Sequence, residues 1–182
     1  MNKKPLISGL FCLDYLLNNE QQGREIAKIL GYNREFTAGK LVTVTVTSSE
    51  QNAALEEILK DVEKGTGGAS NVANALFNMG LNPFFLHTIN PADYAGRCCL
   101  KILKERGIDS STIQFDVTKS TPFTIVVPIG DNRFFMHLQD DRYNSADLGG
   151  KAEQYLKQST VGYFGYPNIM NRVLKNGGEE LK

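Results

Sequence analysis

The sequence predicts an α/β fold in which a sheet layer carries a small β appendage. Three observations predict it. Short apolar runs alternate with helical patterns, two runs flank a turn bearing Gly and Asn, and one run alternates valine with threonine. The 182 residues suit one compact domain, or one domain with a small appendage. A chain of this size buries about 70% of its unfolded surface, so its core needs neither disulfide nor metal.

Each element has a local reason. Residues 5–13 (PLISGLFCL) form a short apolar run bounded by Asp14 and are expected to be one buried strand. Within the polar stretch 18–39, Ile26, Ile29 and Leu30 mark a short helix closed by Gly31. Residues 40–47 (KLVTVTVT) read as a strand with one apolar and one wet face. Ser48 and Gln51 fit a capping box, followed by Leu55, Ile58, Leu59 and Val62 at helical spacing, with Gly65 ending the segment. A helix over 70–79 places Val72, Leu76 and Met79 on one side, with Gly80 as its stop.

The order then repeats: a strand over 83–88, a helix over 94–106 stopped by Gly107, and a strand over 113–117. Residues 122–128 and 134–138 flank Ile129-Gly-Asp-Asn132 as a hairpin. A helix over 151–158, a strand over 161–164 and a helix starting at Pro167 complete the series.

Composition excludes several classes of function. Twenty basic and twenty acidic residues balance, which argues against nucleic acid or an anionic membrane as the main partner. With 22% charged and 9% aromatic residues the chain is not of disordered type. No apolar run approaches the roughly 18 residues of a membrane span. Cys12, Cys98 and Cys99 are odd in number and fit thiols in a reducing cytoplasm.

The chemically informative stretch is Gly65-Thr-Gly-Gly-Ala-Ser-Asn71. Two glycines before a helix let the backbone approach a ligand, and the first-turn N–H groups then point outward. Asn71, three residues beyond Gly68, can both donate and accept at that mouth, as a hydroxyl-rich ligand requires. A plainer account has Gly65 closing one helix, Gly67-Gly68 making a turn and Asn71 in solvent. No Lys-Ser/Thr follows the glycines and no G-x-G-x-x-G follows a strand, so neither the Walker loop nor the dinucleotide fingerprint applies. Asp14, expected at the end of the first strand, can accept two hydrogen bonds from neighbouring hydroxyls, or simply end the strand. His87 and His137 have no partners at metal-ligand spacing and read as structural. Asp140-Asp141-Arg142 reads as a solvated turn.

Taken in order, the motifs resemble the ribokinase/PfkB family of carbohydrate and nucleoside kinases. Gly9-x-x-x-x-Asp14 is followed by Gly67-Gly68-x-x-Asn71, Asp93-Tyr-Ala-Gly96 and Gly107-Ile-Asp109. Then come Thr121-Pro-Phe-Thr124, Gly130-Asp-Asn-Arg-Phe134 and Gly165-Tyr-Pro167. The resemblance implies a ribokinase-like, Rossmann-type three-layer α/β sandwich, incomplete here, with a β lid near 40–47 and 122–138. It implies ATP-dependent transfer to a sugar or nucleoside hydroxyl, with Asp14, Gly67, Gly68 and Asn71 on the substrate and a homodimer through the lid. The 52 residues between Asp14 and Gly67 point to the adenosine-kinase-like branch.

The sequence departs from that pattern in three places. Asn90-Pro91 stands where Gly-x-x-Asp is usual, and 138–144 lacks the usual Gly-Ala-Asn. The Gly-Ala-Gly-Asp turn that carries the family's base and anion hole is not in these residues, and the family's nucleotide pocket belongs to its later half. The chain is therefore expected to be the amino-terminal, substrate-binding part of such an enzyme, 1–182, inactive alone and binding neither ATP nor Mg²⁺ tightly. A different class of function is a stand-alone, non-catalytic sugar-binding or dimerisation module. The coding sequence downstream of Lys182 separates the two.

Overall fold

The computed structural model describes residues 4–9, 11–46, 48–138 and 154–165. Its elements run β1 (Lys4–Gly9), β2 (Phe11–Leu16), α1 (Glu20–Ile29), β3 (Leu41–Val44), α2 (Ser49–Leu59), β4 (Glu63–Gly68) and α3 (Ala69–Asn78). They continue with β5 (Phe84–Leu86), β6 (Thr88–Ile89), α4 (Tyr94–Glu105), β7 (Gln114–Phe115), β8 (Phe123–Ile129), β9 (Asn132–Leu138) and β10 (Ser159–Gly165). The helix expected from Pro167 and the turn Asp140-Asp141-Arg142 lie outside the described residues. Of the helix expected over 151–158, residues 154–157 are helical.

The chain forms two compact units. One comprises Met1–Cys12, Thr66–Thr121 and Asp141–Lys182, and the other Leu13–Gly65 and Pro122–Asp140.

In the first unit β1 is the middle strand of a parallel sheet, β10-β1-β5. Leu6, Ile7 and Ser8 are buried, as a strand covered on both faces requires. The β1/β10 register shifts between Lys4 and Leu6, at Pro5, which has no N–H to give the ladder. Helix α3 packs on β1 and β10 through Ala69, Ser70 and Ala73. The expected Val72/Leu76/Met79 face is not the buried one, and Met79 is 73% exposed. Small side chains let the helix approach the sheet more closely than the larger face would. Strand β10 lies at the edge of this sheet, with Val161 and Tyr163 exposed. The strand expected over 83–88 divides at His87 into β5 and β6, and β6 pairs with β7.

The second unit holds most of a five-stranded sheet ordered β3-β9-β8-β2-β4. Strands β8 and β9 form the expected hairpin, closing at the pair Ile129–Asn132. Strand β3 occupies the edge, its threonine Thr43 exposed and Val42 and Val44 half-buried. Helix α1 packs on β8 and begins at an Asn19 cap, whose side chain accepts the Gln22 N–H at 2.9 Å. The three rings of Tyr32, Phe36 and Phe134 lie together, with Phe36 stacked on Phe134 at 4.6 Å. Ser48 caps α2 by accepting the Gln51 N–H at 3.1 Å. The Gln51 side chain reaches the Ile29 carbonyl at 2.9 Å, tying α2 to the end of α1.

The run 5–13 is two strands rather than one. Its first half joins the parallel sheet, and its second half extends through Leu16 and pairs with β8. The glycine segment differs too. Helix α2 ends at Leu59, and Gly65 lies inside β4 rather than closing a helix.

Candidate functional site

Strand β4 ends at Gly68 and α3 begins at Ala69, so no residue intervenes and Gly68 is both the last of the strand and the N-cap of the helix. Gly68 makes it possible with φ 63° and ψ −139°, where a side chain costs about 1–3 kcal/mol. Helices α1, α2 and α4 are capped by Asn19, Ser48 and Asp93, each side chain accepting a first-turn N–H. At α3 no side chain caps the start, and its first turn carries no acidic residue. Ser70 turns its hydroxyl back to the Gly67 carbonyl. The first-turn N–H groups and the positive end of the helix dipole thus meet at a glycine corner.

Asn71 is exposed in the first turn of α3, and its Oδ1 accepts the Thr66 hydroxyl at 3.1 Å. Thr66 Oγ1 in turn accepts a guanidinium N–H of Arg106 at 2.9 Å. Arg106 caps the C-terminus of α4, forty residues along the chain. Neither Thr66 nor Arg106 stands out in the sequence. Thr66 is one threonine among glycines, and nothing in a linear pattern links it to the end of a later helix.

Asp14 sits inside β2 rather than at a strand end, half-buried and in register with Thr124 of β8. Pairing with β8 continues two residues past it, through Tyr15 and Leu16, and this keeps the strand extended. Gly65 is its neighbour within the same unit: a methyl group placed on Gly65 would stand 4.0 Å from Asp14 Cβ. Asp14 thus belongs to the second unit, and Gly67, Gly68 and Asn71 to the first.

Both histidines are buried in strands or beside them. His137 Nδ1 lies 3.0 Å from Thr124 Oγ1, directly across the hairpin, and His87 stacks on Phe85. Among the described residues no three or more His, Cys, Asp or Glu side chains gather as a metal-holding group, so no Mg²⁺ ligand set is assigned. No described helix is long and apolar enough to cross a membrane.

No protein-family profile matches the sequence, and no curated protein matches it. Solved structures do resemble it. Adenosine kinase from Trypanosoma brucei brucei superposes with a TM-score of 0.61 at 16% identity, covering 90% of this chain and 49% of that one. Adenosine kinase from Schistosoma mansoni, in complex with 2-fluoroadenosine, gives 0.60 at 10% identity, covering 90% and 47%. A structure described as a ribokinase from Agrobacterium tumefaciens gives 0.58 at 18% identity, covering 90% and 44%. The chain spans about half the length of the structures it matches. At these identities the likeness is one of fold: the chain has the ribokinase-like α/β fold with small lid strands.

Proposed function

We propose that this chain is the substrate-binding part of an ATP-dependent kinase acting on a hydroxyl of a sugar or nucleoside, of the adenosine-kinase-like branch. The observation that carries the reading is the glycine corner at Gly68, which opens α3 with no side-chain cap among the described residues, in a fold shared with adenosine kinases. Backbone at Gly67 and Gly68 can approach a ligand closely, Asn71 supplies an amide beside it, and Asp14 supplies a carboxylate acceptor for sugar hydroxyls.

Phosphoryl transfer is mostly positioning and stabilisation of spread negative charge. These residues serve the first task by holding the alcohol. ATP and Mg²⁺ would supply the transferred group and its charge neutralisation. A base and an anion hole of the Gly-Ala-Gly-Asp kind do not occur in the 182 residues. Alone, the chain therefore binds without turnover. The setting is cytoplasmic, with a small-molecule ligand and a homodimer through the lid strands β3, β8 and β9.

A thermal-shift panel of adenosine, ribose and fructose tests the binding half, because a ligand of the folded state raises the melting temperature as its concentration exceeds Kd. At least one of these stabilises the chain, and none doing so overturns the assignment. A kinase assay on the same chain with ATP and Mg²⁺ tests the other half. Turnover no greater than a blank is expected, and turnover well above it overturns the claim that the chain is inactive alone.

A further inference from the structure

We propose that Arg106 is a positioning residue that acts through Thr66 to set which end of the Asn71 amide faces a ligand. The inference rests on the substrate-binding role proposed for Asn71. It follows from donor and acceptor counting. A guanidinium has N–H donors and no acceptor, so at 2.9 Å Thr66 Oγ1 must accept from Arg106. That leaves the single hydroxyl proton of Thr66 to donate, and it points to Asn71 Oδ1 at 3.1 Å. The carbonyl end of the amide is thereby turned inward along the relay. The NH₂ end is the one presented outward, so the ligand atom at Asn71 is an acceptor such as a hydroxyl oxygen.

The relay is anchored at both ends within one unit. Arg106 closes α4 with its backbone N–H on the Ile102 carbonyl, and the next N–H, that of Gly107, bonds the Lys104 carbonyl. The next residue, Gly107, lies against α3, where a methyl group in its place would stand 3.0 Å from Phe77 Cζ. The residue after Arg106 thus lies against the helix that carries Asn71. A flexible lysine in place of Arg106 would hold the Thr66 hydroxyl less firmly.

Two readouts on the full 182-residue chain test this. The first needs no ligand: the side-chain amide resonances of Asn71 in a ¹H–¹⁵N spectrum. Thr66→Val and Arg106→Leu are expected to shift both amide protons, and Thr66→Ser to restore the wild-type positions. Unchanged resonances in the first two variants overturn the proposal.

The second is calorimetric titration with adenosine and with ribose. Thr66→Val and Arg106→Leu each weaken binding about tenfold, the scale of one hydrogen bond. Neither weakens it further once Asn71→Ala is present. Losses that add fully to that of Asn71→Ala overturn the positioning role. If the wild-type chain binds neither compound, the substrate-binding role falls, and the amide spectrum still decides whether Arg106 orients Asn71.

Discussion

The carboxylate of Asp93 serves two partners at once, accepting the Gly96 N–H with one oxygen and the Thr121 N–H with the other, each at 2.6 Å. One side chain thus caps α4 and holds the segment that leads into β8. Asn90 completes the corner. Its amide reaches the Lys119 carbonyl at 2.9 Å, and its own backbone N–H gives to Thr121 Oγ1 at 3.0 Å. The unusual Asn90-Pro91 thus ties the same two segments with side-chain bonds.

Asp93→Ala removes a helix cap and strands a buried N–H. A loss of about 2 kcal/mol is expected, read as a lower urea midpoint at unchanged slope. Asp93→Asn, which keeps one acceptor oxygen, falls between. Gly96→Ala is more severe, because its Cβ would stand 1.8 Å from the Asn90 carbonyl oxygen, and loss of the folded chain is the expected result.

Asp109 gives a pH dependence with a definite sign. The Ser111 backbone N–H foremost, then the Ser111 side chain and the Lys4 ammonium 4.0 Å away, hold its carboxyl below the ordinary 3.8. A carboxyl depressed on folding stabilises the protein above its unfolded value, and that contribution fades as pH falls through the folded value. Wild type should therefore exceed Asp109→Asn in stability at neutral pH, with the gap closing below 3.8. Urea melts of both proteins from pH 7 downward check it; a gap independent of pH contradicts it.

The three thiols should separate by burial. Cys12 and Cys99 are 2% and 0% exposed, and burial pushes the Cys99 thiol well above its ordinary 9.0. Cys98 is half-buried on α4. An Ellman titration at pH 8 should find one fast thiol in the native chain and all three in denaturant. Cys98→Ser should remove the fast one.

Val161 is 61% exposed on β10, at the edge of the parallel sheet. An apolar edge strand, with no further strand paired to it among the described residues, favours association. Sedimentation velocity should show species larger than a monomer growing with concentration, and Val161→Lys should reduce them. Equal behaviour of both proteins as monomers contradicts this.

Local signals carried most of the element order. Ser48, Asp93 and the glycines following α1, α3 and α4 mark helix ends through short-range hydrogen bonds and positive φ. What depended on partners elsewhere in the chain was not legible. Residues 5–13 look like one apolar strand because the sequence does not reveal that each half pairs in a different sheet. Glu63–Gly68 looks like a turn because glycine has low intrinsic strand preference, and β4 is held by its neighbour β2 instead. Met79 looks inward by spacing, yet the small residues Ala69 and Ala73 take that place. Of the candidate site, Gly67, Gly68 and Asn71 were visible as a motif. The Arg106–Thr66 link that orients Asn71 spans forty residues and was not.

The most direct test is calorimetric titration of adenosine and ribose into the wild-type chain and into Asn71→Ala and Asp14→Asn, with folding checked by circular dichroism. Saturable binding of at least one compound is predicted, weakened about tenfold or more in each folded variant. No binding to the folded wild-type chain, or equal binding in all three proteins, would contradict the substrate-binding role.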